Sequence, residues 1–205
     1  MGYPEELCQL VIRNMAIIED APKVVEEVEH ALFNAINKRI EAFVSARDGW
    51  KGYYDFVTNK EDEETTFAPV GWPEDEAGSY LAWYTLGGVE GDGVDRWLSH
   101  AIGVRNAVLC FWFEIGNGIG ELTVKEKKSR CQQFYAATPA VQQAGFQYDK
   151  SGGLFLPFTL DAETLATEFP DFDTALAPLD KALDALLSVH AAFDGFVQEI
   201  QKAAR

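Results

Sequence analysis

Cysteine is scarce in this chain of 205 residues, and the three cysteines present form no CxxC pair. Cys8, Cys110 and Cys131 are odd in number and far apart, which argues against the disulfide scaffold of a small secreted domain. Residues 1–6 include two glutamates where a secretory signal would be basic. We therefore expect free thiols and a cytoplasmic location.

Long hydrophobic runs and basic charge are also lacking. The most apolar run, residues 107–113, lies between Arg105 and Glu114 and is far shorter than the ~20 residues of a membrane-spanning helix. The chain has 17 Lys and Arg but 33 Asp and Glu, which gives a formal net charge of −16. Because this charge repels nucleic acids and anionic membranes, we expect the chain to bind neither directly.

Local catalytic and metal-binding motifs are missing from the sequence as well. His30, His100 and His190 are far apart, and no HxH, HxxxH or HExxH spacing occurs. Ser99 and His100 are adjacent, but on the strand predicted there their side chains would point to opposite faces. His190 lies on an apolar helical seam and is interpreted as a hydrogen-bonded core residue. The sequence therefore predicts no catalytic residue, metal ligand or cofactor.

The composition is that of a folded globular protein. Hydrophobic residues make up 47% and aromatic residues 13% of the chain, which is too much for a disordered acidic sequence. Domains commonly contain about 100–150 residues, so the chain is long enough for a sizeable core. We expect a single domain over residues 1–205.

Two helices are predicted over about residues 5–47. Apolar residues from Leu7 to Ile18 suggest a short first helix, and Asp20-Ala21-Pro22 is typical of a cap followed by proline in the first turn of a second. The second helix has apolar residues every three or four positions from Val25 to Phe43, and Gly49 is its expected stop.

An antiparallel sheet is predicted over about residues 65–160, where aromatic and β-branched runs alternate with glycine-bearing turns. The run 107–113 is apolar on both faces, which indicates a central strand covered on both sides. Residues 116–120 predict a reversal after it, and 127–145 a helical segment with a helix start at Thr138-Pro139. The predicted strands are Thr66–Val70, Tyr80–Leu86, Trp97–Ile102, Ala107–Ile115, Glu121–Lys125, Phe146–Tyr148 and Leu154–Leu160.

Helices are predicted again over about residues 161–203. Asp161 caps a short helix that ends near Phe169, and an apolar seam spaced by four and three residues follows over 172–200. We expect this seam to cover the sheet within the chain, with homodimerisation through it as the alternative. Its members are Phe172, Leu176, Leu179, Leu183, Leu186, His190, Phe193, Val197 and Ile200. The predicted fold class is α+β, a mostly antiparallel aromatic-rich sheet covered by long N- and C-terminal helices.

Negative charge is concentrated between Glu61 and Asp95, where ten acidic residues and no basic residue occur. Aromatic residues are interleaved with them, so we expect carboxylates and rings to share the rim of the sheet. Glu26, Glu27 and Glu29 on the second helix would extend this surface. The residues assigned to partner binding are Glu61, Asp62, Glu63, Glu64, Trp72, Glu74, Asp75, Glu76, Glu90, Asp92 and Asp95.

The leading functional hypothesis is a non-enzymatic protein that binds a basic protein partner through this acidic surface. It would act as an inhibitor or nucleic-acid mimic on a nucleic-acid-binding protein, in the general manner of small acidic inhibitors from phages and mobile elements. A mimic needs dense, fixed carboxylates, because a duplex presents one phosphate charge per ~1.7 Å of axis. The alternative is a small metal-dependent hydrolase or nuclease-like enzyme, with Glu114, Asp92 and Asp95 around a divalent cation. Acidic loops that only keep the protein soluble are the third interpretation.

Overall fold

Helices from both ends of the chain enclose a six-stranded antiparallel sheet, in a computed structural model that describes residues 3–56, 64–74, 80–116, 122–149 and 151–202. This confirms the α+β class. The helices are α1 (Glu5–Arg13), α2 (Met15–Ser45), α3 (Trp97–Ala101), α4 (Val124–Ala137), α5 (Pro139–Gln143), α6 (Ala162–Glu168), α7 (Ala177–Ser188) and α8 (His190–Lys202). The strands are β1 (Trp50–Tyr54), β2 (Thr65–Pro69), β3 (Ala82–Val89), β4 (Val108–Ile115), β5 (Gln147–Tyr148) and β6 (Leu154–Phe158).

The strand order is β1-β2-β3-β4-β6-β5, and each pair of neighbours is antiparallel. β4 lies between β3 and β6, which confirms the predicted central strand. Its side chains alternate between two faces, and Phe111 and Phe113 are buried on the face covered by the C-terminal helices. On the opposite face Cys110 is fully buried, whereas Val108 and Trp112 are half-buried, so that face is less completely covered than predicted.

The N-terminal helices differ from the prediction at their junction. α2 begins at Met15, and Pro22 lies inside it rather than in its first turn. Proline lacks an N–H, so the carbonyl of Ile18 four residues earlier loses its helical donor. Ile18 and Pro22 are both exposed, so water can replace that donor and the helix continues. The predicted start at Asp20 is therefore wrong.

Two predicted strands are wrong, and one strand was missed. Residues Trp97–Ala101 form the helix α3 and not a strand. The prediction failed because six residues are too few for periodicity to separate a helix from a strand. The strand predicted over Glu121–Lys125 overlaps the helix α4, which begins at Val124. Thr123 and Glu126 form a capping box at this helix start. The missed strand β1 is a five-residue strand that pairs with β2.

Most other predicted elements are confirmed within a few residues. β2, β3 and β4 form as antiparallel strands, and β5 and β6 form the predicted hairpin. Asp161 accepts the backbone N–H of Thr164 at 2.9 Å and caps α6. Thr138 precedes α5, which has proline at its first position. The predicted reversal at 116–120 lies outside the described residues except for Gly116.

The C-terminal seam packs inside the chain, as the first of its two alternatives predicted. It runs along α7 and α8, which are separated at Val189. Its members are buried except for His190, which is half-buried, and Phe193 packs on Phe113 of β4 with ring centroids 4.8 Å apart. Homodimerisation would need these buried side chains on the surface.

No helix in the described part of the chain combines the length and the apolar composition that a membrane span requires.

Candidate interaction surface

The structure places six of the eleven residues assigned to partner binding. The acidic side chains among them lie at both ends of the sheet rather than along one rim. Glu64 precedes β2 and Glu90 follows β3. Because these two strands are antiparallel, both residues lie at the same end of the sheet, and both are exposed. Glu74 lies at the other end, where it forms an ion pair with Lys51. The others, Glu61, Asp62, Glu63, Asp75 and Glu76, lie outside the described residues.

Trp72 belongs to the core and not to the rim, so its assignment to the surface is corrected. Only 3% of the residue is exposed, and its ring packs on Tyr84 at 5.2 Å and on Phe113 at 5.6 Å between centroids. The indole N–H donates to Asp194 on α8 at 3.3 Å. Burial removes a large apolar area from water while this hydrogen bond satisfies the one polar group of the ring.

The loop between β3 and α3 connects the predicted acidic segment to α2. Asp92 and Asp95 are exposed on this loop, and the neighbouring Arg96 forms an ion pair with Glu26 of α2 at 3.9 Å. Glu29, by contrast, is only 2% exposed, and its Oε1 accepts the backbone N–H of Leu98 at 2.8 Å. Glu29 therefore holds α3 in place and does not extend the surface as expected.

The N-terminal arm, defined as residues 5–28, exposes an unusual amount of apolar surface. α1 has no buried residue, and the first buried residue of α2 is Glu29. Eight large apolar residues of the arm are between 39% and 75% exposed: Leu7, Leu10, Val11, Ile12, Met15, Ile17, Ile18 and Val24. Scattered exposed apolar residues are ordinary, but a concentration on one element marks an interaction site.

Charge on the same arm is mainly negative. Six acidic residues and two basic residues give it a formal net charge of −4. Among the described residues, Glu26 is the one arm carboxylate that forms an ion pair. The acidic residues are Glu5, Glu6, Glu19, Asp20, Glu26 and Glu27, and the basic residues are Arg13 and Lys23.

A groove of about 410 Å³ lies at the base of the arm, between α2, α3 and α6. Val24 and Val28 line its α2 side, and Leu98, Leu165 and Phe169 line the opposite side. Among the described residues of the lining, Glu27 alone is charged. The groove therefore offers an apolar pocket with one carboxylate in its wall.

The carboxylates of the alternative enzyme hypothesis are not brought together. Glu114 pairs with Trp83 near the start of β3, whereas Asp92 and Asp95 follow Val89 at its end. The six residue-to-residue steps from Trp83 to Val89 span about 20 Å. Among the described residues, no group of three His, Cys, Asp or Glu side chains is arranged to hold a metal ion.

Glu114 instead lies beside α4, which carries the basic residues Lys125, Lys127, Lys128 and Arg130. Burial raises the pKa of the Glu114 carboxyl, Glu64 raises it further, and Lys127 lowers it. The Lys127 ammonium donates to the carbonyl of Gly116 at 2.7 Å and so binds the end of β4. Burial also raises the pKa of Cys131 to about 12, so this thiol stays protonated and unreactive at neutral pH.

The prediction of a hydrogen-bonded His190 is wrong for its Nδ1 within the described residues. Its ring lies 4.8 Å from that of Trp50 and 6.0 Å from that of Trp72, and its Nδ1 is buried without a hydrogen-bond partner in the described part of the chain. Burial lowers the pKa of His190, and Asp194 partly offsets this. The surrounding rings provide apolar packing but no polar partner.

This lowered pKa predicts how stability depends on pH. The unfolded chain binds a proton at His190 near pH 6.5, whereas the folded chain binds it only at lower pH, so stability contributed by the neutral ring is lost as pH falls below about 6.5. We expect the free energy of unfolding of the wild type to fall more than that of His190→Gln between pH 7.5 and pH 5, measured by urea denaturation. His30→Gln, at an exposed position, is the control. A constant difference between wild type and His190→Gln would contradict the prediction.

The exposed features that lie together are thus the N-terminal arm, the groove at its base and the loop of Asp92 and Asp95. Sequence patterns indicated the acidic loop but not the arm. The missed signal was the apolar stripe from Leu7 to Ile18, whose exposure becomes visible only once the body of the fold is placed. No family model matches the chain, and no curated protein or solved structure is significantly similar to it.

Proposed function

We propose that the protein is non-enzymatic and binds a basic protein partner through an acidic surface made of the N-terminal arm and the loop of Asp92 and Asp95. The observation that carries this proposal is the exposure of eight large apolar side chains on an arm with a net charge of −4. Apolar area on an exposed element supplies binding energy. Acidic charge around it speeds association with basic partners and disfavours acidic ones.

A nucleic-acid-binding protein is one class of partner that presents a basic surface of this kind. Nucleic-acid mimicry requires carboxylates in fixed positions, and two contacts support such a role for the acidic loop. Arg96 of the loop forms an ion pair with Glu26 of α2, and the backbone N–H of Leu98, in the helix that follows the loop, donates to the buried Glu29. The apolar side chains of the arm go beyond what phosphate mimicry needs and favour recognition of protein side chains.

Neutralising the acidic loop is expected to weaken binding to the partner by about tenfold or more, because each exposed charge pair contributes up to about 1 kcal/mol. The test variant is Glu90→Gln/Asp92→Asn/Asp95→Asn. The partner is first captured from a lysate of the source organism at ~0.1 M salt and identified, and the purified pair is then measured at ~0.1 M and ~0.5 M salt. We expect the loop variant to lose most binding at the lower salt and the wild type to lose it at the higher salt.

The matched control is Asp171→Asn/Asp184→Asn/Glu199→Gln, which removes three exposed carboxylates from other surfaces. It changes the net charge by the same amount, so it separates local recognition from overall charge. Equal affinities of the two triple variants would contradict the assignment of the loop to the binding surface. Unchanged binding at ~0.5 M salt would contradict the role of charge.

A further inference from the structure

We infer that the N-terminal arm and the groove at its base dock an amphipathic helix of the partner, apolar on one face and rich in lysine or arginine on the other. This inference rests on the proposed function, for which it names the docking site and the chemistry of the bound segment. Three properties of the arm carry it: an apolar stripe on α2 that extends the core, a groove at its base, and an acidic border.

The arm consists of two helices that meet at Asn14. The backbone of Asn14, with φ −112° and ψ 22°, is not helical, so α1 ends before it and α2 begins after it. The backbone N–H of Asn14 donates to the carbonyl of Leu10 at 3.1 Å, and that of Ile18 donates to the carbonyl of Asn14 at 3.0 Å, so the chain passes directly from one helix into the next. The stripe that continues the buried face of the fold therefore lies on α2, which extends unbroken from Met15 to Ser45.

That stripe is the extension of the buried face of α2. Ile18, Val25 and Leu32 are spaced by seven residues, so they lie on one side of the helix. Leu32 is fully buried and Val25 half-buried, whereas Ile18 is 39% exposed. A stripe of this period packs against another helix, so a helix is the shape that would continue this packing beyond the body of the protein.

The groove gives such a helix an anchor point. Leu165 is buried in its wall, and Phe169, 41% exposed, lies at its edge. A large apolar side chain entering between Val24 and Phe169 would be removed from water. Glu27 in the same lining would accept a lysine or arginine that neighbours the anchor.

Charge favours a basic helix over a second copy of this chain. In a pair of arms, each copy would bring a net charge of −4 to the contact. Like charges placed opposite one another oppose association. A lysine-rich helix would meet the same carboxylates with opposite sign.

The probe is a fluorescein-labelled 21-residue peptide of three identical heptads, with leucine on one helical face and lysine elsewhere, titrated with the full chain in fluorescence anisotropy. Ile17→Gln/Ile18→Gln/Val24→Gln removes three exposed apolar side chains of α2, among them Ile18 of the stripe and Val24 of the groove, without changing the charge of the arm. Val70→Gln/Val124→Gln/Leu187→Gln removes three exposed apolar side chains elsewhere and is the matched control. We expect the arm variant to bind about tenfold or more weakly than wild type, and the control variant to bind within about twofold.

A peptide of the same composition but scrambled order, which has no apolar face, distinguishes docking from attraction between charges. Weak binding of the scrambled peptide supports the inference. Equal binding of both peptides by wild type and arm variant overturns the docking site but leaves the acidic binding function standing. Binding of neither peptide overturns both proposals. A dimeric wild type that becomes monomeric in the arm variant, measured by analytical ultracentrifugation, shows that a second copy occupies the arm and also overturns the inference.

Discussion

Replacing Phe193 with alanine is expected to lower the free energy of unfolding by about 3–5 kcal/mol. Phe193 on α8 is fully buried, and its ring centroid lies 4.8 Å from those of Phe113 and Phe146 and 5.2 Å from that of Phe134. Removing the ring loses its transfer energy and opens a cavity among side chains that are already in contact. Urea denaturation followed by circular dichroism measures the change.

Two further variants make this prediction specific. Leu187→Ala on α7 removes a partly exposed side chain and is expected to change the free energy of unfolding by only about 0.5 kcal/mol. Phe193→Leu keeps part of the volume and should lie between wild type and Phe193→Ala. A loss below about 1 kcal/mol for Phe193→Ala would show that α8 is not packed on the sheet as described.

Long periodic segments were predictable from the sequence because many positions agree on one period. The C-terminal seam covers 29 residues, and its pattern identifies the buried face of α7 and α8 although the helix breaks at Val189. α3 could not be identified in this way. It is five residues long, and the contact that holds it, between Leu98 and Glu29, joins residues 69 positions apart.

The binding surface was less predictable than the fold for a related reason. An apolar stripe has the same sequence pattern whether its partner lies in the same chain or in another molecule. Ile18 and Leu32 occupy equivalent positions of one stripe, yet one is exposed and the other is fully buried. Trp72 shows the reverse error, because its neighbour Asp194 is 122 positions away and no local pattern reveals that contact.

Replacing Asn37 with alanine is expected to lower the free energy of unfolding by about 2–4 kcal/mol, because it takes the side-chain donor from the buried carbonyl of Phe56 and the acceptor from the buried hydroxyl of Thr65. Asn37 lies on α2 and is 7% exposed. Its Nδ2 donates to the carbonyl of Phe56 at 3.0 Å, and its Oδ1 accepts from the hydroxyl of Thr65 at 2.5 Å. The same hydroxyl accepts the backbone N–H of Phe56 at 3.3 Å, so the network joins α2 to the segments at the ends of β1 and β2.

A double-mutant cycle with Thr65→Val tests whether these groups act as one network. Thr65→Val removes the hydroxyl that connects Asn37 to Phe56, so the double variant should cost less than the sum of the two single variants, by about 0.5–3 kcal/mol. Asn34→Ala is the control, since Asn34 lies on the same helix and bonds only to the exposed His30 among the described residues. Additive losses in the cycle would contradict the network. Because α2 also carries the N-terminal arm, coupling would show that a buried polar network fixes the base of the docking surface against the sheet.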